Sequence, residues 1–420
     1  MVLVLLSACG PATTNDDDRQ FASRTQTPRP SAAAPRVGTP SGTPSDGLSV
    51  ETAATPDPAD LLASPATATA AFFAMDGRLV VAHVDGGLQN VILPGPVTAL
   101  SVAPNGTTAA VLVLGTAGPA TPGSVGTSGR TVPETGGTSY SIVIVDTEGK
   151  IARSVDDVLA TIDAQPEVAA ALATEVTIAT IALGPTIDDL IVAFPDGLLV
   201  RLTQSQPATV IPGSGNLADV QEVAWSPTGK GLVIIATDPA GGLPGVYHAP
   251  LRADGIDPVR IAPAPGRTAD DVAWLPDSSG VLFTDAAGPL DEGSLRAGRD
   301  LFMTPLRSDR RTLVAAAGII GPAAGVVDFA VAPGGGSVAY TLYRAEGDQV
   351  RFNSLWVGAT ATQSAVRIQL PDIASIDGLA WTSSGLLVLA QPQDGAGPKT
   401  LLVGTDGVAA TPVVVATPIA

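Results

Sequence analysis

One short pattern recurs six times along this chain and limits what it can fold into: an apolar residue, a small one, Trp or an aliphatic, any residue, Pro, then a Gly-containing turn. It runs through Leu100-Ser101-Val102-Ala103-Pro104-Asn105-Gly106, Ile181-Ala182-Leu183-Gly184-Pro185 and Val223-Ala224-Trp225-Ser226-Pro227-Thr228-Gly229. It returns in Val272-Ala273-Trp274-Leu275-Pro276, Phe329-Ala330-Val331-Ala332-Pro333-Gly334 and, without its Pro, Leu379-Ala380-Trp381-Thr382-Ser383-Ser384-Gly385. Each copy leads into an apolar run such as Leu232-Val233-Ile234-Ile235-Ala236 or Val281-Leu282-Phe283-Thr284. Pro presets φ and ends strand pairing while Gly accepts φ > 0, so each copy predicts two strands joined by a tight turn.

Two further strands complete each unit. Val246 to Arg252 and Leu301 to Arg307 match closely as third strands and begin 55 residues apart, and Val259 to Ala262 and Thr312 to Ala315 serve as fourth strands. Leu79 to Gly86, with its Asp-Gly turn, reads as another third strand. Four short strands per unit of 42 to 57 residues are the sequence mark of radially packed sheets. The Ala-Trp-Ser-Pro-x-Gly type string resembles the TolB-like, or WD40-like, β-propeller family over roughly Ala71 to the C-terminus. The expected fold is all-β: a β-propeller of seven blades, mostly four-stranded antiparallel sheets, after a disordered N-terminal tether. The seventh blade comes from the strands of Ala71 to Leu93, which lack the template; six blades is the alternative, with those strands augmenting the last sheet.

Template spacing locates an insertion. Pro104 and Pro185 lie 81 residues apart, against 42, 49 and 57 for the next three intervals. The excess falls in Gly115 to Thr138, rich in Gly, Thr and Pro, and in Ser154 to Thr174. In the second stretch Asp156 and Asp157 are placed to cap a short helix bearing Val158, Leu159 and Ile162, which Pro166 breaks or restarts. Long connections between second and third strands are expected over Asp285 to Asp300, 344–353 and Gln391 to Lys399. These share a face with the links between blades, and a partner is expected there.

The single cysteine stands in Leu6-Ser7-Ala8-Cys9, directly after the apolar Val2 to Leu5. The string resembles the lipobox of a bacterial lipoprotein signal, which implies that Cys9 carries lipid. Buried acyl methylenes contribute roughly 0.8 kcal/mol each, so two or more chains hold a domain at a bilayer. No Lys or Arg precedes the apolar run, which is short for a signal core, so residues 1–9 read as a lipoprotein-type signal segment whose start is expected further upstream. Residues 10–69, with Thr27-Pro28-Arg29-Pro30, Gly38 to Pro44 and Thr55 to Pro58, lack apolar periodicity and read as a Pro/Thr/Ser/Ala-rich linker. As a coil of this length it reaches about 40 Å. The propeller domain is then 70–420, on the extracytoplasmic side of the cell membrane.

Charge narrows the function. With 40 acidic against 22 basic residues the net charge is −18, and no Lys/Arg cluster exists, which argues against nucleic acid as a partner. One cysteine permits no internal disulfide. His83 and His248 sit at unmatched positions of predicted strands and are read as structural; no hydrolase triad, nucleotide-binding glycine loop or calcium loop is found. Gly334-Gly335-Gly336 reads as a turn, and Asp16-Asp17-Asp18 as a solvated run. Trp225, Trp274 and Trp381 share one template position and are read as packing between blades, as is Trp356.

No catalytic, cofactor or metal site is assigned, and lipidated Cys9 is the one site residue. Asp270, Asp271, Asp328 and Asp377 fall in or just before first strands near the axis, and are read as turn and strand-start residues. The expected function is a non-enzymatic, lipid-anchored extracytoplasmic scaffold that presents a loop face to a protein, peptide or glycan. The alternative is a glycosidase-like hydrolase using carboxylates at the channel mouth, for which acids from different blades would have to converge.

Overall fold

The computed structural model describes residues 68–116, 138–172, 177–264, 266–287, 299–306, 311–316, 324–346, 349–362 and 364–403. Cys9, all of the 10–69 linker but its last two residues and most of the Gly115 to Thr138 insertion lie outside them.

The strands form seven sheets, each a meander of antiparallel neighbours. Blade 1 holds β1 (Ala70–Met75), β2 (Arg78–His83) and β3 (Leu88–Val91). Blade 2 holds β4 (Val97–Val102), β5 (Thr108–Thr116), β6 (Thr138–Asp146) and β7 (Ile151–Val155). Blade 3 holds β8 (Thr180–Leu183), β9 (Leu190–Ala193), β10 (Leu199–Leu202) and β11 (Thr209–Val210). Blade 4 holds β12 (Ala218–Trp225), β13 (Gly231–Thr237), β14 (Gly245–Pro250) and β15 (Val259–Ala262). Blade 5 holds β16 (Arg267–Trp274), β17 (Gly280–Ala287), β18 (Asp300–Pro305) and β19 (Thr312–Ala315). Blade 6 holds β20 (Ala324–Val331), β21 (Ser337–Glu346), β22 (Gln349–Ala359) and β23 (Ala365–Ile368). Blade 7 holds β24 (Ile373–Thr382), β25 (Gly385–Pro392) and β26 (Lys399–Val403). The chain is a seven-bladed β-propeller.

The recurrent template is the end of each inner strand and the turn after it. The apolar run that follows is buried on both faces, because each second strand is clamped between neighbouring blades. In β13, Leu232, Ile234 and Ala236 pack with blade 3, and Val233 and Ile235 pack with blade 5. A strand with two buried faces has no polar face to alternate with, so the run reads as continuous.

Seams between blades repeat as well. Trp225 Nε1 donates to the Ala182 carbonyl at 3.2 Å, Trp274 Nε1 to Ala224 at 3.1 Å and Trp381 Nε1 to Ala330 at 2.8 Å. Each indole thereby fills the gap to the preceding blade and satisfies a carbonyl there. Between blades 2 and 3, where no Trp is present, Ser101 Oγ accepts from the Leu183 amide at 2.9 Å. Trp356 packs where blades 5 and 6 meet, against a cluster that includes Leu282 and Val338.

Ring closure rests on blades 1 and 7. The Ser383 amide donates to the Ala68 carbonyl at 2.8 Å, and Ala71, Phe73 and Ala82 pack on Leu387 and Leu389. Phe73 reaches across to the backbone of Gly378, where an added Cβ would lie 2.5 Å from its ring. The N-terminal strands are therefore a sheet of their own and not an addition to the last one.

The predicted helix is two short ones. α1 (Val158–Asp163) is capped by Asp157, whose side chain accepts from the Ala160 amide at 3.0 Å, and α2 (Pro166–Ala171) starts on Pro166. Both lie in the link from blade 2 to blade 3 and bury Val158, Ile162 and Val168. Gly334 to Gly336 make the turn between β20 and β21.

Two expectations need correction. Residues 344–353 are not a loop: β21 runs to Glu346 and β22 starts at Gln349, extending one long hairpin. Leu79 to His83 is the second strand of its sheet, not the third.

Candidate functional site

The template that builds each inner strand also sets what that strand presents to the axis. Three residues before the Trp position, the six templated strands carry Ala99, Thr180, Glu222, Asp271, Asp328 and Gly378. In five of them the ladder slips by a bulge just before this position: Val97/Ala99, Ala218/Glu222, Ala269/Asp271, Val326/Asp328 and Ile376/Gly378. Bulges re-aim side chains and are common beside functional sites. In blade 5 the extra residue is Asp270, so Asp270 and Asp271 come to bear on one place.

Glu222, Asp271 and Asp328 therefore belong to three consecutive blades at one depth. Each acts electrostatically on a neighbour: Glu222 feels Asp271 and Asp270, and Asp271 feels Asp328 and Asp270. Enclosure by the blades and the like charges push Asp271 up to about 7. Burial pushes Asp328 up to about 6, held back by hydrogen bonds from the Phe329 and Leu379 amides. Glu222 is raised well above the usual range, again by burial first and by Asp271 second, although its carboxylate accepts from the Val272 amide. Both Glu222 and Asp328 thus bond to the inner strand of the following blade.

Among the described residues, one cation answers this charge. Arg299, just before β18, is 1% exposed and ion-paired with Asp270, whose side chain is 8% exposed. Its Nη2 also donates to Thr284 Oγ1 at 2.9 Å, and Thr284 Oγ1 donates to Asp270 Oδ1 at 2.6 Å. Arg299 lowers the pKa of both Asp271 and Asp328. Among the described residues, three atoms of this pair find no partner: Asp270 Oδ2 and Arg299 Nε and Nη1 are buried and unbonded. Buried polar atoms left unpaired cost about 1–3 kcal/mol each and call for an explanation.

Toward the other end of the axis, a cavity of about 490 Å³ is lined by Ser101, Ala224 and Ala273, by Trp225, Trp274 and Trp381 and by the template prolines. Ala224 and Ala273 stand two residues beyond Glu222 and Asp271 on their strands, so about 7 Å separates the cavity floor from the carboxylate layer.

Of the four aspartates noted in the sequence, Asp270, Asp271 and Asp328 converge and are not turn residues. Asp377 stays apart, exposed and bonded to Gln391 Nε2 at 2.7 Å. Glu222 and Arg299 went unnoticed, although Glu222 stands at the same template offset as Asp271 and Asp328. Arg299 carried no signal, since it stands outside the strands and matches no template position.

His248 meets the Trp274 ring edge-on at 5.8 Å, and burial lowers its pKa. His83 closes β2, so the two histidines do not share a strand position. Among the described residues no group of His, Cys, Asp and Glu is arranged to hold a metal ion.

No family model matches this chain, and no curated protein does. Solved structures match at low identity. A puromycin hydrolase S511A mutant complexed with PGG is 13% identical over 87% of this chain and 56% of that one, with a TM-score of 0.51. A Niastella koreensis GH74 enzyme is 12% identical over 83% and 55%, with a TM-score of 0.48. The Myceliophteria thermophila Cps50 (Swd1) β-propeller domain is 12% identical over 81% and 97%, with a TM-score of 0.45. The chain thus spans about half the length of the two enzymes. Identities this low reflect the shared propeller fold alone.

Proposed function

We propose that this chain is a non-enzymatic binding module, held at the extracytoplasmic face of the membrane by lipid on Cys9, that takes its partner at the loop face. One observation carries the choice over a hydrolase. The carboxylates occupy a single arc, blades 4 to 6, while Ala99, Thr180 and Gly378 stand at the matching positions of blades 2, 3 and 7. Glycoside hydrolysis needs an acid and a second carboxylate flanking the scissile bond from opposite sides. Acids on one arc, partly committed to blade seams and to an arginine, suit gripping a group rather than flanking a bond.

Two experiments test the reading. Chromogenic glycosides are assayed with the full chain and with an Asp271→Asn/Asp328→Asn variant, while a photocrosslinker at exposed Ala396, in the loop before β26, is irradiated in the native cell. Equal background rates with a discrete crosslinked product support the module; turnover that disappears in the variant supports the hydrolase. For the anchor, Cys9→Ser expressed from the native locus is expected to move the protein from the membrane to the soluble fraction, and unchanged partitioning contradicts lipidation.

A further inference from the structure

The axial layer is over-supplied with acid and under-supplied with partners. Among the described residues, Glu222, Asp270, Asp271 and Asp328 face one another with Arg299 as the one cation acting on them. Were all ionised, the group would carry three uncompensated negative charges in an enclosed space, a state that proteins avoid by protonation or by taking up a counter-charge. Independently, Asp270 Oδ2 lacks a hydrogen-bond donor and Arg299 Nε and Nη1 lack an acceptor, on side chains more than nine-tenths buried. Asp270 belongs to the same acidic layer, and Arg299 acts electrostatically on Asp271 and Asp328 as well. A missing donor and a missing acceptor on the two members of one ion pair suit a single group that carries both.

From these features we infer that the axial site binds a primary ammonium with an oxygen acceptor beside it, as an amino alcohol presents. The ammonium donates its three N–H groups to Asp270 Oδ2 and to free lone pairs of Asp271 and Asp328, with Glu222 adding negative charge beside them; the neighbouring oxygen accepts from Arg299. Glu222 and Asp328 keep their bonds to the next blade, since a carboxylate has about four acceptor positions and these use one or two. Small side chains at Ser101, Ala224 and Ala273 bound the adjoining cavity and leave it open to a narrow ligand. The inference goes beyond the loop-face reading and adds to it an axial site, whose adjoining cavity is lined by the turns after the inner strands.

The test is calorimetric titration of the full chain with ethanolamine, with ethylammonium, which lacks the hydroxyl, and with ethylene glycol, which lacks the charge. Ethanolamine is expected to bind best and ethylene glycol not at all. Its affinity is expected to be about a hundredfold weaker at pH 5 than at pH 8, because a carboxyl titrating near 7 is about 99% protonated at pH 5. Near pH 6 binding should release protons, seen as a difference in heat between two buffers of unlike ionisation enthalpy. Asp271→Asn should abolish binding, and the proton release makes the same point on the unaltered chain. Ethylene glycol binding as well as ethanolamine, or an ethanolamine affinity equal at pH 5 and pH 8, would overturn the proposal. Equal affinities of ethylammonium and ethanolamine would overturn the role given to Arg299. None of these outcomes depends on the glycoside assays, so a failed site and a failed binding reading remain distinguishable.

Discussion

Arg299 is where one side chain does most to set the character of the inner face. It neutralises Asp270 and tempers Asp271 and Asp328, yet it leaves two of its own nitrogens without partners. Removing one member of a buried pair strands the other, so Arg299→Met is expected to cost about 3–5 kcal/mol in urea unfolding, much of it recovered in an Arg299→Met/Asp270→Leu double variant. The indoles act differently, each satisfying one carbonyl of the preceding blade. Trp274→Phe keeps most of the packed volume and loses the bond to Ala224, and a loss of about 1–2 kcal/mol is expected by the same measurement. That these tryptophans pack between blades was legible from their shared template position. The common offset of Asp271 and Asp328 from that position was legible too, but that Asp270 joins them was not, because the bulge that makes it an extra residue leaves no mark in the spacing.

Among the elements, the inner strands and their turns were readable because Pro and Gly are required there for backbone reasons. Second strands were readable because both of their faces are buried. The hairpin of β21 and β22 was misread: Ala345 to Val350 mixes Glu, Gly, Asp and Gln, residues that favour turns, yet strand pairing continues from Arg344 opposite Arg351 to Glu346 opposite Gln349. Tertiary pairing outweighs local preference in such a ribbon. Closure between β1 and β24 depends on Gly378 giving room to Phe73. Gly378→Ala is expected to destabilise the chain by about 1–3 kcal/mol through overpacking, with partial rescue by Phe73→Leu in thermal unfolding.

At the scale of the whole molecule, the carboxylate layer couples stability to pH in an unusual direction. Folded Asp271 and Asp328 hold protons to about 7 and about 6, and Glu222 is shifted the same way, whereas in the unfolded chain carboxyls lose theirs near 4. The folded state therefore binds more protons between these limits, and its stability should fall as pH rises from about 4 to 7. A Glu222→Gln/Asp271→Asn/Asp328→Asn variant should lose this dependence. The most direct measurement is the titration of the labelled side-chain carboxyl carbons of the full chain by NMR. Midpoints near 7 for Asp271 and near 6 for Asp328, both moving down when ethanolamine is added, are the predicted result; midpoints near 4 that ignore the amine would contradict an enclosed carboxylate site on the propeller axis.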